Sequence, residues 1–218
     1  CTACHNPHGS DFEAMAKDRL DKVCYRCHSD SEMSFLKTNT HKPVLEGNCS
    51  SCHFAHGGGE KKLLRAGGAA LCSNCHGDLM KVAVGTSSHD PFKEGECLTC
   101  HDAHGSNESG MLVGKQDKIC YECHSELGKD VKASKSTHSP VTSGQCTKCH
   151  SPHASKIGKL LLAKSPDLCQ VCHKNLQQRM QKERVHTPAA RDCLRCHVPH
   201  ASGGAPLLSK PLQSLCGE

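Results

Sequence analysis

Tryptophan is absent from this chain of 218 residues, aromatic residues make up only 3%, and the mean hydropathy is -0.53. So little large apolar surface excludes an ordinary core of interlocked side chains. In a chain with nothing else to bury, it would point to disorder. No apolar run approaches the roughly 18 residues that cross a bilayer, and no leader-like segment opens the chain. Alternation of apolar and polar residues over the four to eight positions of a half-buried strand is missing as well, so the sequence predicts short helices and irregular loops with no sheet.

Cysteine and histidine are what the chain has in excess, 19 and 18 residues. Eighteen of the cysteines fall into nine complete C-x-x-C-H motifs. The pairs are Cys1/Cys4, Cys24/Cys27, Cys49/Cys52, Cys72/Cys75, Cys97/Cys100, Cys120/Cys123, Cys146/Cys149, Cys169/Cys172 and Cys193/Cys196. Each is followed at once by a histidine: His5, His28, His53, His76, His101, His124, His150, His173 and His197. This pentapeptide attaches a c-type haem: the two thiols add to the vinyl groups and the adjacent imidazole becomes the proximal iron ligand. Cys216 opens a tenth motif that the sequence does not complete. At about 24 residues per motif, the cofactors themselves are expected to form the core, and the apoprotein is expected not to fold, as small metal domains do not without metal.

Two other readings of the cysteines are weaker. The spacing between Cys4 and Cys24 fits a zinc ribbon, but zinc gives no reason for a histidine after every second cysteine. A disulfide framework fails on the same ground. The formal charge of +5 invites a nucleic-acid reading, yet eighteen propionates against nine ferric cores would take it to about -4, so nucleic acid is not an expected partner. Lys61, Lys62 and Arg65 are expected to offset propionates.

The motifs alternate between two types. Those at Cys1, Cys49, Cys97, Cys146 and Cys193 (type A) carry a second histidine three residues after the first: His8, His56, His104, His153 and His200. Those at Cys24, Cys72, Cys120 and Cys169 (type B) do not, and Cys216 would begin a fifth. Successive A cysteines lie 48, 48, 49 and 47 residues apart. The chain therefore reads as one continuous repeat array with two haems per unit of about 48 residues, wrapped around a line of haems: residues 1–48, 49–96, 97–145, 146–192 and a shortened 193–218. It reads as a window from a longer array.

Between A and B stand Gly/Ser-rich loops and an apolar pair, such as Leu63-Leu64 or Leu160-Leu161. These leucines, with the apolar residue before each B cysteine, are expected to bury the B haems more deeply than the A haems. From B to the next A, a helix is expected at Asn175 to Val185, ended by a His-x-Pro segment. Four such segments carry His41, His89, His138 and His186.

Nine histidines thus lie outside the motifs, as many as there are complete motifs, and all recur in register with the repeat. Bis-histidine ligation follows, with distal ligands His8, His41, His56, His89, His104, His138, His153, His186 and His200. The second histidine of an A motif cannot readily reach its own iron, because positions i and i+3 of a turn point the same way. The simplest assignment gives it to the following B haem: His8 with His28, His56 with His76, His104 with His124, His153 with His173. The His-x-Pro histidine then serves the following A haem: His41 with His53, His89 with His101, His138 with His150, His186 with His197. The first A haem is left without a partner and His200 without a haem. The reverse assignment, with His-x-Pro folding back to the preceding B haem, stays open. The five methionines share no repeat position, so His/Met ligation is not expected.

Alternating C-x-x-C-H-x-x-H and C-x-x-C-H motifs joined by L-L and H-x-P segments resemble, over the whole chain, the multihaem cytochromes c with doubled CXXCH motifs. The resemblance implies an exported electron carrier, periplasmic or extracellular, that is not itself an enzyme. It implies redox protein partners or extracellular acceptors, end-to-end assembly into a filament, or docking to a porin conduit. A multihaem reductase of the nitrite or hydroxylamine type is the alternative, and would need one open iron.

Overall fold

In the computed structural model, residues 1–82, 87–182 and 184–215 are described; Cys216 lies outside them. The chain divides into two units, Cys1–Met80 with Glu94–Gly114, and Lys81–Lys93 with Lys115–Glu218. Each unit thus includes a segment that sequence order would give to the other.

Each C-x-x-C-H motif forms one tight turn. The His28, His53, His124 and His150 amides donate to the carbonyl of the first cysteine of their own motif at 2.9–3.1 Å. That turn gathers two thiols and one imidazole, the grouping a macrocycle edge and its iron require. B motifs close a helix, as in Leu20–Tyr25 and Gln116–Cys123, and their histidine sits at a non-helical break before the next helix, Ser29–Phe35 or Ser125–Ala133. A motifs open with a single tight turn, as at Cys49–Ser51 and Cys146–Lys148.

The expected helix after His173 runs Lys174–Lys182. The His-x-Pro prolines start helices instead of stopping them: Lys42–Leu45, Ser139–Thr142 and Thr187–Arg191 each carry proline in the first turn. There the fixed φ suits the helix and the missing N–H costs nothing.

The expectation of no sheet is corrected. Among the described residues three two-stranded antiparallel sheets occur: β1 (Asn39–Thr40) with β3 (Gly105–Ser106), β2 (Ser87–Ser88) with β5 (Ala154–Ser155), and β4 (Ser136–Thr137) with β6 (Ala201–Ser202). Strands of two residues are too short to leave a periodic signature. Each joins the residues before a His-x-Pro histidine to those after the second histidine of the A motif after next: β1 precedes His41 and β3 follows His104. Gly105 has φ of 145°, and a Cβ there would stand 2.7 Å from the Thr40 Cα, so glycine alone admits this close pairing.

The apolar pairs fold differently from expectation. They bend back on the preceding A motif instead of covering the B motif: Phe54 N donates to Leu63 O at 2.7 Å and Arg65 N to Cys52 O at 2.9 Å. The bend puts both of its central residues at positive φ, Lys62 and Leu63 in one repeat, Lys159 and Leu160 in another. Among the described residues, the buried apolar side chains are Val23, Phe92 and Ala154. Three such residues cannot hold a chain of this length together, so the interior requires groups other than side chains.

Candidate haem-binding sites

The strained bend has a constant product. The carbonyl of its first central residue meets the proximal imidazole of the A motif nine residues earlier: His5 Nδ1 bonds Ala14 O at 2.8 Å, His53 Nδ1 Lys62 O at 2.9 Å, His101 Nδ1 Gly110 O at 2.8 Å, His150 Nδ1 Lys159 O at 2.9 Å, and His197 Nδ1 Pro206 O at 3.0 Å. A carbonyl only accepts, so Nδ1 carries the proton and Nε2 is left with its lone pair for a metal. Left-handed backbone at a non-glycine residue costs about 1–2 kcal/mol, and here it aims the acceptor.

The His-x-Pro histidines are anchored in the same way. His41 Nδ1 donates to Ala103 O at 2.9 Å, His89 Nδ1 to Pro152 O at 3.0 Å, and His138 Nδ1 to Pro199 O at 3.1 Å. Their backbone amides donate to the carbonyls of His104, His153 and His200 at 2.9–3.0 Å. Each small sheet therefore ends in a latch that holds one His-x-Pro histidine beside the second histidine of the A motif after next.

The latch decides which imidazoles face each other. In the first unit His5 faces His56, His41 faces His76 and His53 faces His104, with ring centres 5.8, 6.1 and 6.3 Å apart and planes at 31°, 23° and 9°. In the second unit His89 faces His124, His138 faces His173 and His150 faces His200, at 6.1, 6.1 and 5.9 Å with planes at 15°, 18° and 29°. Rings this far apart and nearly parallel leave a gap between them. Two imidazoles bound to one metal through nitrogens at about 2 Å, with about 1 Å more from each nitrogen to its ring centre, stand about 6 Å apart. The residues present fit a six-coordinate haem iron.

This pairing replaces both assignments made from the sequence. The second histidine of an A motif faces the proximal histidine of the preceding A motif, and the His-x-Pro histidine faces that of the B motif that follows the intervening A motif. One latch thus places both partners of a repeat: His104 faces His53, and His41 faces His76. His5 and His200, expected to lack a counterpart, both have one. His8, His28, His186 and His197 have no facing imidazole among the described residues. Sequence distance misled because the latch is a tertiary contact over about sixty residues.

Burial lowers the pKa of His104 and of His200, opposed at His104 by Asp102, and favours the neutral imidazole that binds metal. The Phe35 ring stacks on His104 at 4.1 Å, and Phe92 lies 4.9 Å from His153. Nothing in the repeat pattern marks these phenylalanines. A serine two residues after the second histidine was legible but was not read: His8-Gly9-Ser10, His104-Gly105-Ser106, His153-Ala154-Ser155 and His200-Ala201-Ser202. Its hydroxyl closes the A loop, as where Ser106 Oγ donates to Leu112 O at 2.6 Å and accepts from Glu108 N at 2.9 Å.

None of the eighteen described cysteines is tied up in a disulfide, as thioether formation requires. The first cysteine of each B motif meets the first cysteine of the next A motif through its thiol: Cys24 with Cys49, Cys72 with Cys97, Cys120 with Cys146, Cys169 with Cys193. Burial pushes Cys24 and Cys169 up to about 11, whereas the hydrogen bond from Cys120 pulls Cys146 down to about 7. Within a repeat, Cys4 acts on Cys24, Cys52 on Cys72 and Cys172 on Cys149. Consecutive motifs are therefore neighbours in space, in sequence order, through each unit.

The second cysteines differ in exposure between the two motif types. At the B motifs Cys27, Cys75, Cys123 and Cys172 are all exposed. At the A motifs Cys52, Cys100, Cys149 and Cys196 are half-buried, and Cys4 alone of this set is exposed. The bend that follows each A motif brings its backbone to the second A cysteine, whose carbonyl accepts from Lys17 N at Cys4, Arg65 N at Cys52, Val113 N at Cys100, Leu162 N at Cys149 and Ser209 N at Cys196, each at 2.9 Å. No such segment returns over Cys27 or Cys75, because the chain leaves a B motif directly into the next helical turn.

The profile of the family described as "Doubled CXXCH motif" matches residues 1–33, 41–81, 89–129, 138–178 and 186–218. Each match pairs one A motif with one B motif, and all but the first begin at the His-x-Pro histidine. No curated protein matches the chain.

Proposed function

This chain belongs to the doubled CXXCH family of multihaem c-type cytochromes, and on that premise we propose that it conducts electrons along a row of at least nine bis-histidine haems in the periplasm or outside the cell. The observation that carries the reading is the contact between successive motif thiols, which within each unit sets one attachment point beside the next. Haem iron supplies the chemistry, a one-electron exchange between its ferric and ferrous states.

The residues do the rest. The paired thiols fix two edges of each macrocycle. The facing imidazoles would hold the iron from its two sides, so that His5, His53, His150, His76, His124 and His173 would act with His56, His104, His200, His41, His89 and His138. Backbone carbonyls keep the proton on Nδ1 of one imidazole in each of these six pairs, which fixes tautomer and ring plane. In these six pairs an iron would have both sides filled and no position left for a substrate, which supports a carrier there. No helix among the described residues is long and apolar enough to cross a membrane. Partners on this reading are redox proteins or extracellular acceptors.

The test is low-temperature EPR of the oxidised protein, quantified against total haem from the pyridine haemochrome. Low-spin signals of the rhombic kind, expected of nearly parallel imidazole planes, support the conduit. A high-spin haem that shifts on adding nitrite, hydroxylamine or cyanide in the full-length protein would favour the reductase.

A further inference from the structure

The repeat has a second, longer period that the two-haem unit does not explain. Three residues before the first B cysteine stand Asp21, Ala69, Asp117 and Pro166 in successive repeats. One residue after that cysteine stand Tyr25, Ser73, Tyr121 and Gln170. Alternate repeats thus carry an aspartate and a tyrosine, and these are the chain's only two tyrosines.

Both aspartates lie where a B thiol meets the next A thiol. Asp21 is 5% exposed and acts on Cys24, Tyr25 and Cys49. Asp117 acts on Tyr121 and Cys146. Glycine makes room for each: a Cβ on Gly47 would stand 2.9 Å from the Asp21 Cγ, and one on Gly144 would stand 3.0 Å from the Asp117 Cβ. At the second junction the same place holds Ala69 against Gly95, and the groups acting most strongly on Cys72 include no carboxylate. At the fourth, Asp167 sits one residue nearer the cysteine but is exposed, and it is not among the main groups acting on Cys169.

A simpler reading makes Asp21 and Asp117 helix-start acids, since both occupy the first turn of their helices. Asp167 occupies the same kind of position in the short helix Asp167–Gln170 and yet faces solvent. Helix chemistry therefore does not account for turning the other two inward beside a tyrosine.

We propose that Asp21 and Asp117 lower the reduction potentials of the haems that meet at the first and third B-to-A junctions, so that the array repeats electronically every four haems instead of every two. This rests on the conduit reading above. A fixed carboxylate favours the ferric over the ferrous state, and the half-buried tyrosine ring beside it excludes water that would screen the charge. The two acids differ in one respect. Arg19 donates to Asp21 through Nε at 2.6 Å and Nη2 at 2.5 Å and offsets part of its charge, whereas Asp117 has no ion pair among the described residues.

The test is a spectroelectrochemical titration of the holoprotein and of Asp117→Asn, Asp21→Asn, Arg19→Gln and Ala69→Asp. One charge at roughly 10–15 Å in an effective dielectric of about 20 shifts a one-electron equilibrium about tenfold, or about 59 mV. Asp117→Asn is expected to raise one or two midpoints by about that factor, and Asp21→Asn by less. Arg19→Gln is expected to lower them, and Ala69→Asp to lower a midpoint at the second junction. Unchanged midpoints in all four variants, or one equal shift of every haem, would overturn the proposal. Ala69→Asp keeps it testable if an asparagine variant does not fold. Failure of the conduit reading would register separately, as missing haem or high-spin iron in the unsubstituted protein.

Discussion

Replacing His104 by alanine distinguishes the latch from any assignment by nearest sequence neighbour. His104 faces His53, with ring centres 6.3 Å apart and planes 9° from parallel, so the variant should leave the iron of the Cys49/Cys52 haem five-coordinate. The latch itself is held by the backbone, through His41 N and His104 O at 3.0 Å, and survives loss of the side chain. His41 should then keep its place opposite His76. One haem in nine, and not two, is expected to become high-spin, and added imidazole should restore the low-spin signal. EPR spin quantification reads the fraction, and removing one haem at a time identifies it. In a Cys49→Ala, Cys52→Ala background, His104→Ala should add no high-spin iron; in a Cys120→Ala, Cys123→Ala background it should add one haem's worth. The opposite pattern would refute the latch, because assignment to the following B haem puts His104 opposite His124.

The left-handed bends make a stability prediction: Lys159→Gly should relieve strain and leave stability unchanged or raise it by up to about 1 kcal/mol, whereas Gly110→Ala should cost about 1 kcal/mol, both read from thermal unfolding. Gly105→Ala is expected to cost more, about 2–3 kcal/mol, because its Cβ would meet Thr40 Cα at 2.7 Å and Asn39 O at 2.8 Å, backbone atoms that cannot step aside. The hydrogen bond from Arg19 holds the Asp21 carboxyl below the ordinary carboxylate range. A depressed folded pKa gives stability that is complete above the unfolded value of about 3.9 and lost as the pH falls through it. Arg19→Gln should therefore flatten the acid limb of a stability profile below about pH 4 and change its slope little near pH 7. An acid limb steeper than that of the unsubstituted protein would contradict this.

The sequence by itself determined the chemistry. Nine C-x-x-C-H motifs indicate covalent c-type haem, and the near absence of large apolar residues and an equal number of histidines outside the motifs led to the expectation of bis-histidine ligation. These follow from local spacing, since a tight turn of five residues is enough to gather two thiols and a proximal imidazole. The alternation of A and B motifs and the helix after His173 were local in the same sense. Which distal histidine meets which haem was not legible, nor was the role of Phe35 or the existence of any sheet. A latch such as His41 with His104 closes through two backbone residues on each side, across 63 positions, and a strand that short has no period to read. The path of the apolar pairs was hidden for a related reason: their leucines suggested a cover for the following haem, and nothing in their side chains announces that the backbone bends back to offer a carbonyl to the preceding imidazole. Tertiary structure alone decided these points, because hydrogen bonds between main-chain groups carry no side-chain signature and only the folded chain shows which repeats they join.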